Sequence, residues 1–127
     1  MRHALALVLL MVTLFPATTQ AQNRCKVDPW RFENNQTVPI SISMPNDGKP
    51  CKVRKFSFQG GSEATYSVST PPSNGEVEIK ENEAFYTPKA GFSGTDKFVL
   101  QVNGTAPFAR PATRSGRFEV TVTVTAP

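Results

Sequence analysis

The feature that most constrains the fold is a strict two-residue alternation of side chains close to the C-terminus. From residue 118 to residue 124 every second position is apolar, and Glu119 and two threonines fill the positions between. Successive side chains of an extended strand point to opposite faces, so this pattern predicts a strand with one buried face. Residues 38–44 alternate in the same way but include Pro39, which has no amide hydrogen to donate. We expect this second strand at a sheet edge.

The rest of the chain is divided by turn residues every eight to twelve positions, and no window shows a sustained helical repeat. Short β-rich runs lie between the turns, and a hairpin turn is expected at residues 81–83. About seven short strands with regular turns predict an all-β domain built as a two-sheet sandwich. The predicted strands cover residues 38–44, 53–58, 64–69, 77–79, 85–86, 98–102 and 118–124.

Residues 1–21 have the pattern of a secretory signal peptide. Arg2 and His3 precede an apolar run of residues 4–15, and small residues around a cleavage position follow, ending at Ala21. The run is too short to span a bilayer, so we expect a periplasmic or secreted protein without a membrane span. Cleavage would remove the only histidine, which excludes triads and zinc sites that use imidazole. It would also lower the net charge of +4 by one.

The two cysteines, Cys25 and Cys51, are predicted to form one disulfide, because export delivers an even number of cysteines to an oxidising compartment. The bridge would close a loop of about 27 residues, worth roughly 3.5 kcal/mol in the chain-entropy model. It would tie an irregular segment, residues 22–36, to a sandwich domain of residues 37–127. No thiolate would remain for catalysis or metal binding.

The sequence segment most specific for a particular fold lies between residues 69 and 104. It reads STPPSNGEVEIKENEAFYTPKAGFSGTDKFVLQVNG. This segment resembles the bacterial immunoglobulin-like and cadherin-like repeats of cell-surface proteins, and the resemblance extends over about residues 64–125. It implies an immunoglobulin-like β-sandwich. The matching positions are Pro71 or Pro72, Gly75, Val77, Phe85, Tyr86, Pro88, Gly91, Phe92, Gly94, Asp96 and Phe98.

The same residues have a structural explanation. Pro88 ends the return strand of the hairpin, and Gly91 and Gly94 permit a tight reversal of the chain. Phe92 is placed to close one end of the sandwich. Asp96 is expected to accept hydrogen bonds from turn amides. The alternative is a calcium ligand, but Asp96 has no acidic neighbour in its turn, whereas calcium requires six or more oxygens.

Acidic residues cluster on the predicted hairpin, at Glu76, Glu78, Glu81 and Glu83. Paired carboxylates could act as in a glycosidase. However, Glu76 and Glu78 alternate with apolar residues, which favours a solvated face. We therefore predict no catalytic residue, no metal site and no cofactor.

Basic residues occur in two groups that we take as candidate binding residues: Lys52 and Arg54 after the first turn, and Arg110 and Arg114 in a predicted loop of residues 103–116. Phe108 lies in the same loop, either as a contact residue or folded back onto the edge of the sandwich. The positive charge favours an anionic protein or glycan of the cell envelope. It is too small, without interleaved aromatics, to indicate nucleic acid.

The hypothesis that follows is an exported, non-catalytic binding module that recognises an envelope component or an exported protein through its loops. Two alternatives remain open. One is an inhibitor of an extracytoplasmic hydrolase, and the other is a structural envelope protein that self-associates through exposed strand edges. Trp30 could stack on a sugar, but we favour a position over the core near the disulfide.

Overall fold

The computed structural model describes residues 24–53, 57–58, 61 and 64–127. These residues form eight strands and contain no helix. The predicted signal peptide and Arg54 lie outside the described residues. The strands are β1 (Lys26–Val27), β2 (Thr37–Pro45), β3 (Cys51–Val53), β4 (Thr65–Thr70), β5 (Gly75–Lys80), β6 (Glu83–Pro88), β7 (Gly94–Thr105) and β8 (Thr113–Thr125). The prediction of an all-β sandwich with one disulfide is confirmed, and the short β1 lies inside the segment predicted to be irregular.

The strands form two sheets. Five strands are arranged in the order β1-β2-β8-β7-β4, and three in the order β3-β6-β5. β2 runs parallel to β8, whereas the other neighbours are antiparallel. β1 pairs only with Ile42 and Ser43 of β2. The prediction that β2 is an edge strand is therefore wrong at these two residues. At Pro39, no strand of the described residues pairs with the outer side of β2.

The core is made by the alternating faces that the sequence shows. Every apolar position of the 118–124 alternation is at most 2% exposed, and those of residues 38–44 are at most 7% exposed. The rings of Tyr86 and Phe98 stack between the two sheets, with centroids 5.7 Å apart and an interplanar angle of 10°. Val68 departs from the expected pattern and is 36% exposed. The register shifts between Val68 and Thr70, which interrupts the alternation.

The N-terminal segment is attached to the second sheet by the disulfide between Cys25 and Cys51. Cys51 lies in β3 and is fully buried, whereas Cys25 directly precedes β1. The bridge therefore links the two sheets covalently. Next to it, Arg24 forms an ion pair with Asp47 and donates to the carbonyl oxygens of Lys49 and Pro50, at 3.0 and 2.9 Å.

A buried carboxylate joins β7 to the second sheet. Asp96 is 3% exposed and accepts hydrogen bonds from the backbone amides of Ser73 and Asn74, at 3.1 and 3.0 Å. The hydroxyl of Tyr86 in β6 donates to the same carboxylate at 2.8 Å, and the amide of Lys97 donates at 2.9 Å. Burial and the bond to Asp96 raise the pKa of Tyr86 above its usual range, so this hydroxyl remains a donor.

Both hairpin connections are shorter than predicted, by one residue at the β5–β6 turn and by more in the β7–β8 loop. The β5–β6 turn consists of Glu81 and Asn82, with φ of 48° and 59°, as in a two-residue primed turn. The β7–β8 connection was predicted to span residues 103–116. The strands pair as far as Thr105 and Thr113, so the loop is only residues 106–112.

We expect the Asp96 carboxylate to contribute measurably to the stability of the sandwich. Asp96→Asn replaces an acceptor by an amide nitrogen that faces other donors, and should lower the free energy of unfolding by about 2 kcal/mol. Tyr86→Phe should cost about 1.5 kcal/mol because it removes one bond to a charged group. Urea unfolding of both single variants and the double variant measures these values. Additive losses would show that the two groups do not act together.

The surface pair of Arg24 and Asp47 should give a dependence of stability on acid pH. The hydrogen bond from Arg24 is the main cause that lowers the pKa of Asp47 from 3.8 to about 2. The pair therefore stabilises the folded state fully above pH 3.8 and loses this effect as the pH falls through 2. We expect the stability difference between the wild type and Asp47→Asn to shrink from pH 5 to pH 2 in urea unfolding. A constant difference would contradict the assignment.

Candidate binding cleft

The loop of residues 106–112 is held by its own hydrogen bonds. The amide of Ala106 donates to the carbonyl oxygen of Ala112 at 2.8 Å, and the amide of Ala109 donates to that of Ala106 at 2.9 Å. The guanidinium of Arg110 donates to the carbonyl oxygens of Pro107 and Ala109, at 3.2 and 3.0 Å. Arg110 therefore contributes to the shape of the loop, a role that its sequence position did not reveal.

Phe108 projects from this loop into solvent. Its side chain is 88% exposed, so it does not fold back onto the edge of the sandwich. Exposure of a phenylalanine ring forgoes the roughly 1.5 to 3 kcal/mol that burial of a large apolar side chain provides. Aromatic side chains and arginine are enriched among the residues that dominate protein interfaces. The ring is therefore accessible to a second molecule.

An open cleft of about 600 Å³ lies next to Phe108, between the loop and the N-terminal segment. Its lining combines aromatic rings with two arginines. None of the described residues that line it is an aspartate or a glutamate. The cleft would therefore accept an apolar group that carries negative charge. The lining residues are Arg31, Phe32, Ser57, Phe58, Ala106, Phe108, Ala109 and Arg114.

The apolar side of the cleft is continuous with an aromatic cluster of the core. The rings of Phe32 and Phe58 meet edge to face with centroids 5.0 Å apart, and Phe32 lies 6.4 Å from Phe118 of β8. Gly116 makes this packing possible, since a Cβ there would lie 3.0 Å from the Phe32 ring. Trp30 packs on Phe118 at 4.7 Å, which agrees with a position over the core.

The segment that carries Arg31 and Phe32 is fixed to β8 by hydrogen bonds. The amide of Asn35 donates to the carbonyl oxygen of Ser115 at 2.7 Å, and the amide of Ser115 donates to the Asn34 side chain at 3.0 Å. The amide of Arg117 donates to the carbonyl oxygen of Gln36 at 3.1 Å. Both walls of the cleft are thus attached to the same strand.

The two arginines of the cleft are available to a ligand. Arg31 is exposed and Arg114 is half-buried, opposite Gly104 in the β7–β8 ladder. Within the described residues no carboxylate forms a salt bridge with either guanidinium. The sequence identified Arg114 as a candidate binding residue, but not Arg31 or Phe32. The tripeptide Trp30-Arg31-Phe32 was only a weak indication of a binding site, because residues 31 and 114 come together only in the fold.

The remaining candidate residues do not line this cleft. Lys52 lies on the exposed face of β3, opposite Phe85, with its ammonium 3.7 Å from a carboxylate oxygen of Glu83. The structure gives no account of Arg54. Within the turn motif, Gly91 and Gly94 have φ of 78° and 133°, a region that glycine adopts more readily than other residues. Tyr86, Pro88, Asp96 and Phe98 are buried, and Phe92 packs partly against the core.

The described part of the chain contains no group of three or more histidine, cysteine, aspartate or glutamate residues that could hold a metal ion. Within the same residues there is no helix of the length and hydrophobicity needed to cross a bilayer.

The exposure of Phe108 predicts that this ring is dispensable for folding. Phe108→Ser should change the free energy of unfolding by less than about 0.5 kcal/mol, because the ring makes few internal contacts. Phe58→Ala is the matched control, since Phe58 is 6% exposed and belongs to the core. It should cost about 3 kcal/mol. Equal losses in urea unfolding would show that Phe108 is buried in solution.

Comparison with protein families gives a match over most of the chain. The model of the bacterial Ig domain family matches residues 25–125. The chain therefore belongs to this family, as the motif of residues 69–104 suggested. The match includes the N-terminal segment with Arg31 and Phe32 and the complete β7–β8 hairpin. No curated protein matches the chain.

Proposed function

We propose that this bacterial Ig domain is an exported, non-catalytic module that binds an envelope component or an exported protein through the cleft beside Phe108. The family favours a binding or structural role over catalysis. The observation that carries the proposal is the 88% exposure of Phe108 at the rim of a cleft whose two arginines form no salt bridge with a described residue. A rigid loop that presents an aromatic ring loses little entropy when it binds.

The residues of the cleft have separable roles in this proposal. Phe108 is the apolar anchor, and Phe32 and Phe58 form the surface against which a partner group would pack. Arg31 and Arg114 attract negative charge and can bind carboxylates in a bidentate manner. Arg110 holds the loop in shape. Lys52 faces another side of the domain and is not included.

The proposal places the domain in the periplasm or outside the cell. It takes residues 1–21 as a signal peptide cleaved near Ala21, residues 22–36 as the N-terminal segment and residues 37–127 as the sandwich. The disulfide between Cys25 and Cys51 supports this compartment, because such bridges persist in oxidising surroundings. The net positive charge would favour an anionic partner.

Capture of partners from envelope extract tests the function. A tagged copy of the protein, expressed with its own N-terminal segment, should retain a partner that Phe108→Ser and Arg114→Glu each lose by roughly tenfold or more in affinity. The matched control is Lys97→Glu, which reverses one charge on the exposed face of β7. Binding should weaken as salt rises, because exposed charges are screened.

The outcome that contradicts the proposal is a partner retained equally by the wild type, Phe108→Ser and Arg114→Glu at all salt concentrations. Loss of binding in Lys97→Glu alone would move the site to the outer face of the five-stranded sheet. A captured hydrolase that the wild type inhibits and Phe108→Ser does not would identify the partner as an enzyme target of the same loop.

A further inference from the structure

The β5–β6 hairpin carries four glutamates, whereas no described carboxylate lines the cleft. Within the described residues, Glu78 pairs with Lys80 at 3.3 Å, and Glu83 lies 3.7 Å from Lys52. Glu81 occupies the turn itself, is exposed and forms no salt bridge with a described residue. The hairpin therefore presents negative charge at a narrow two-residue tip.

The acidic tip and the cleft lie at the same end of the sandwich. The far end of β6 is located by Asn46, whose side chain donates to the carbonyl oxygens of Lys89 and Phe92, and whose amide donates to that of Thr125. Pro88 is thus near the end of β8. Because β6 has only 6 residues and β8 has 13, Glu83 and the turn lie partway along β8, in the direction of residues 106–112.

The β3 strand gives independent support for this placement. Val53 pairs with Ala84, the second residue of β6 counted from the hairpin turn. Ser57 and Phe58 follow Val53 by four and five positions. Both of these residues line the cleft. We call the end that contains the turn at residues 81–82 and the loop at residues 106–112 the loop end.

We propose that two copies of this chain associate through their loop ends, with the acidic turn of each copy in the basic cleft of the other. A two-fold axis makes the two contacts identical, so the assembly closes as a dimer instead of growing into a filament. Each contact places Glu81 of one copy against Arg31 and Arg114 of the other. The inference uses the cleft of the proposed function but requires no foreign partner, which would compete with the second copy.

The chemistry of the contact predicts a dimer that depends on salt. Its attractive part comes from surface charges, whose interaction is screened within about 10 Å at 0.1 M salt. Phe108 lies at the same end and would be shielded from water by the second copy. We therefore expect association at low ionic strength and dissociation as salt is raised.

Sedimentation equilibrium at low salt tests the dimer by charge reversal. Glu81→Lys and Arg114→Glu should each raise the dimer dissociation constant by roughly tenfold or more, because each brings like charges together. An equimolar mixture of these two variants should recover the affinity of the wild type. In the mixed dimer one contact is native, and the other pairs the introduced lysine with the introduced glutamate.

The matched control is Glu119→Lys, an equal charge change on the exposed face of β8 that should leave the dimer intact. A wild type that stays monomeric at low salt, or a mixture that does not recover association, overturns the inference. The test is separate from that of the proposed function. Glu81→Lys leaves the cleft unchanged, so it should lose the dimer and still capture an envelope partner.

Discussion

The buried carboxylate of Asp96 is the constraint on which the arrangement of the two sheets depends. A carboxyl group at this depth is stable only if its oxygens accept hydrogen bonds from donors. Two amides of the 73–74 turn, the amide of Lys97 and the Tyr86 hydroxyl provide them. These donors come from β7, from the turn before β5 and from β6. The carboxylate therefore fixes the distance and register between the sheets at one end and leaves the opposite end to the loops.

At the opposite end the two walls of the cleft are positioned through β8. The strand begins within a hairpin that carries Phe108, and its amides and carbonyls at Ser115 and Arg117 bind the N-terminal segment. Gly116 lies between these positions and admits the Phe32 ring where a larger residue would collide. The disulfide at Cys25 holds the start of the same segment. A cleft built from distant parts of the chain thus acquires fixed walls.

Much of the fold was predictable because burial on one face of a strand leaves a two-residue pattern in the sequence. The pattern is clear at residues 118–124, where Phe118 and three valines are buried and the residues between them are exposed or half-buried. It is absent at residues 113–117, where Gly116 supplies no side chain to the buried face, so the loop was predicted too long. The parallel pairing of β2 with β8 has no local signature either. The sequence of a strand does not show whether its neighbour runs parallel or antiparallel to it.

The candidate site was less predictable than the fold, for a physical reason. Phe108 and Arg114 were identifiable because they lie near each other in sequence, whereas Arg31 joins them through the packing of Phe32 on β8 and the hydrogen bonds of residues 34–36. The charges are also separated by topology, since Glu81 occupies the β5–β6 turn and the other end of that hairpin is held near the end of β8 by Asn46. Arg31 and Arg114 carry like charge in the cleft, and no described carboxylate forms a salt bridge with either of them. A second molecule or a partner of complementary charge would offset their mutual repulsion.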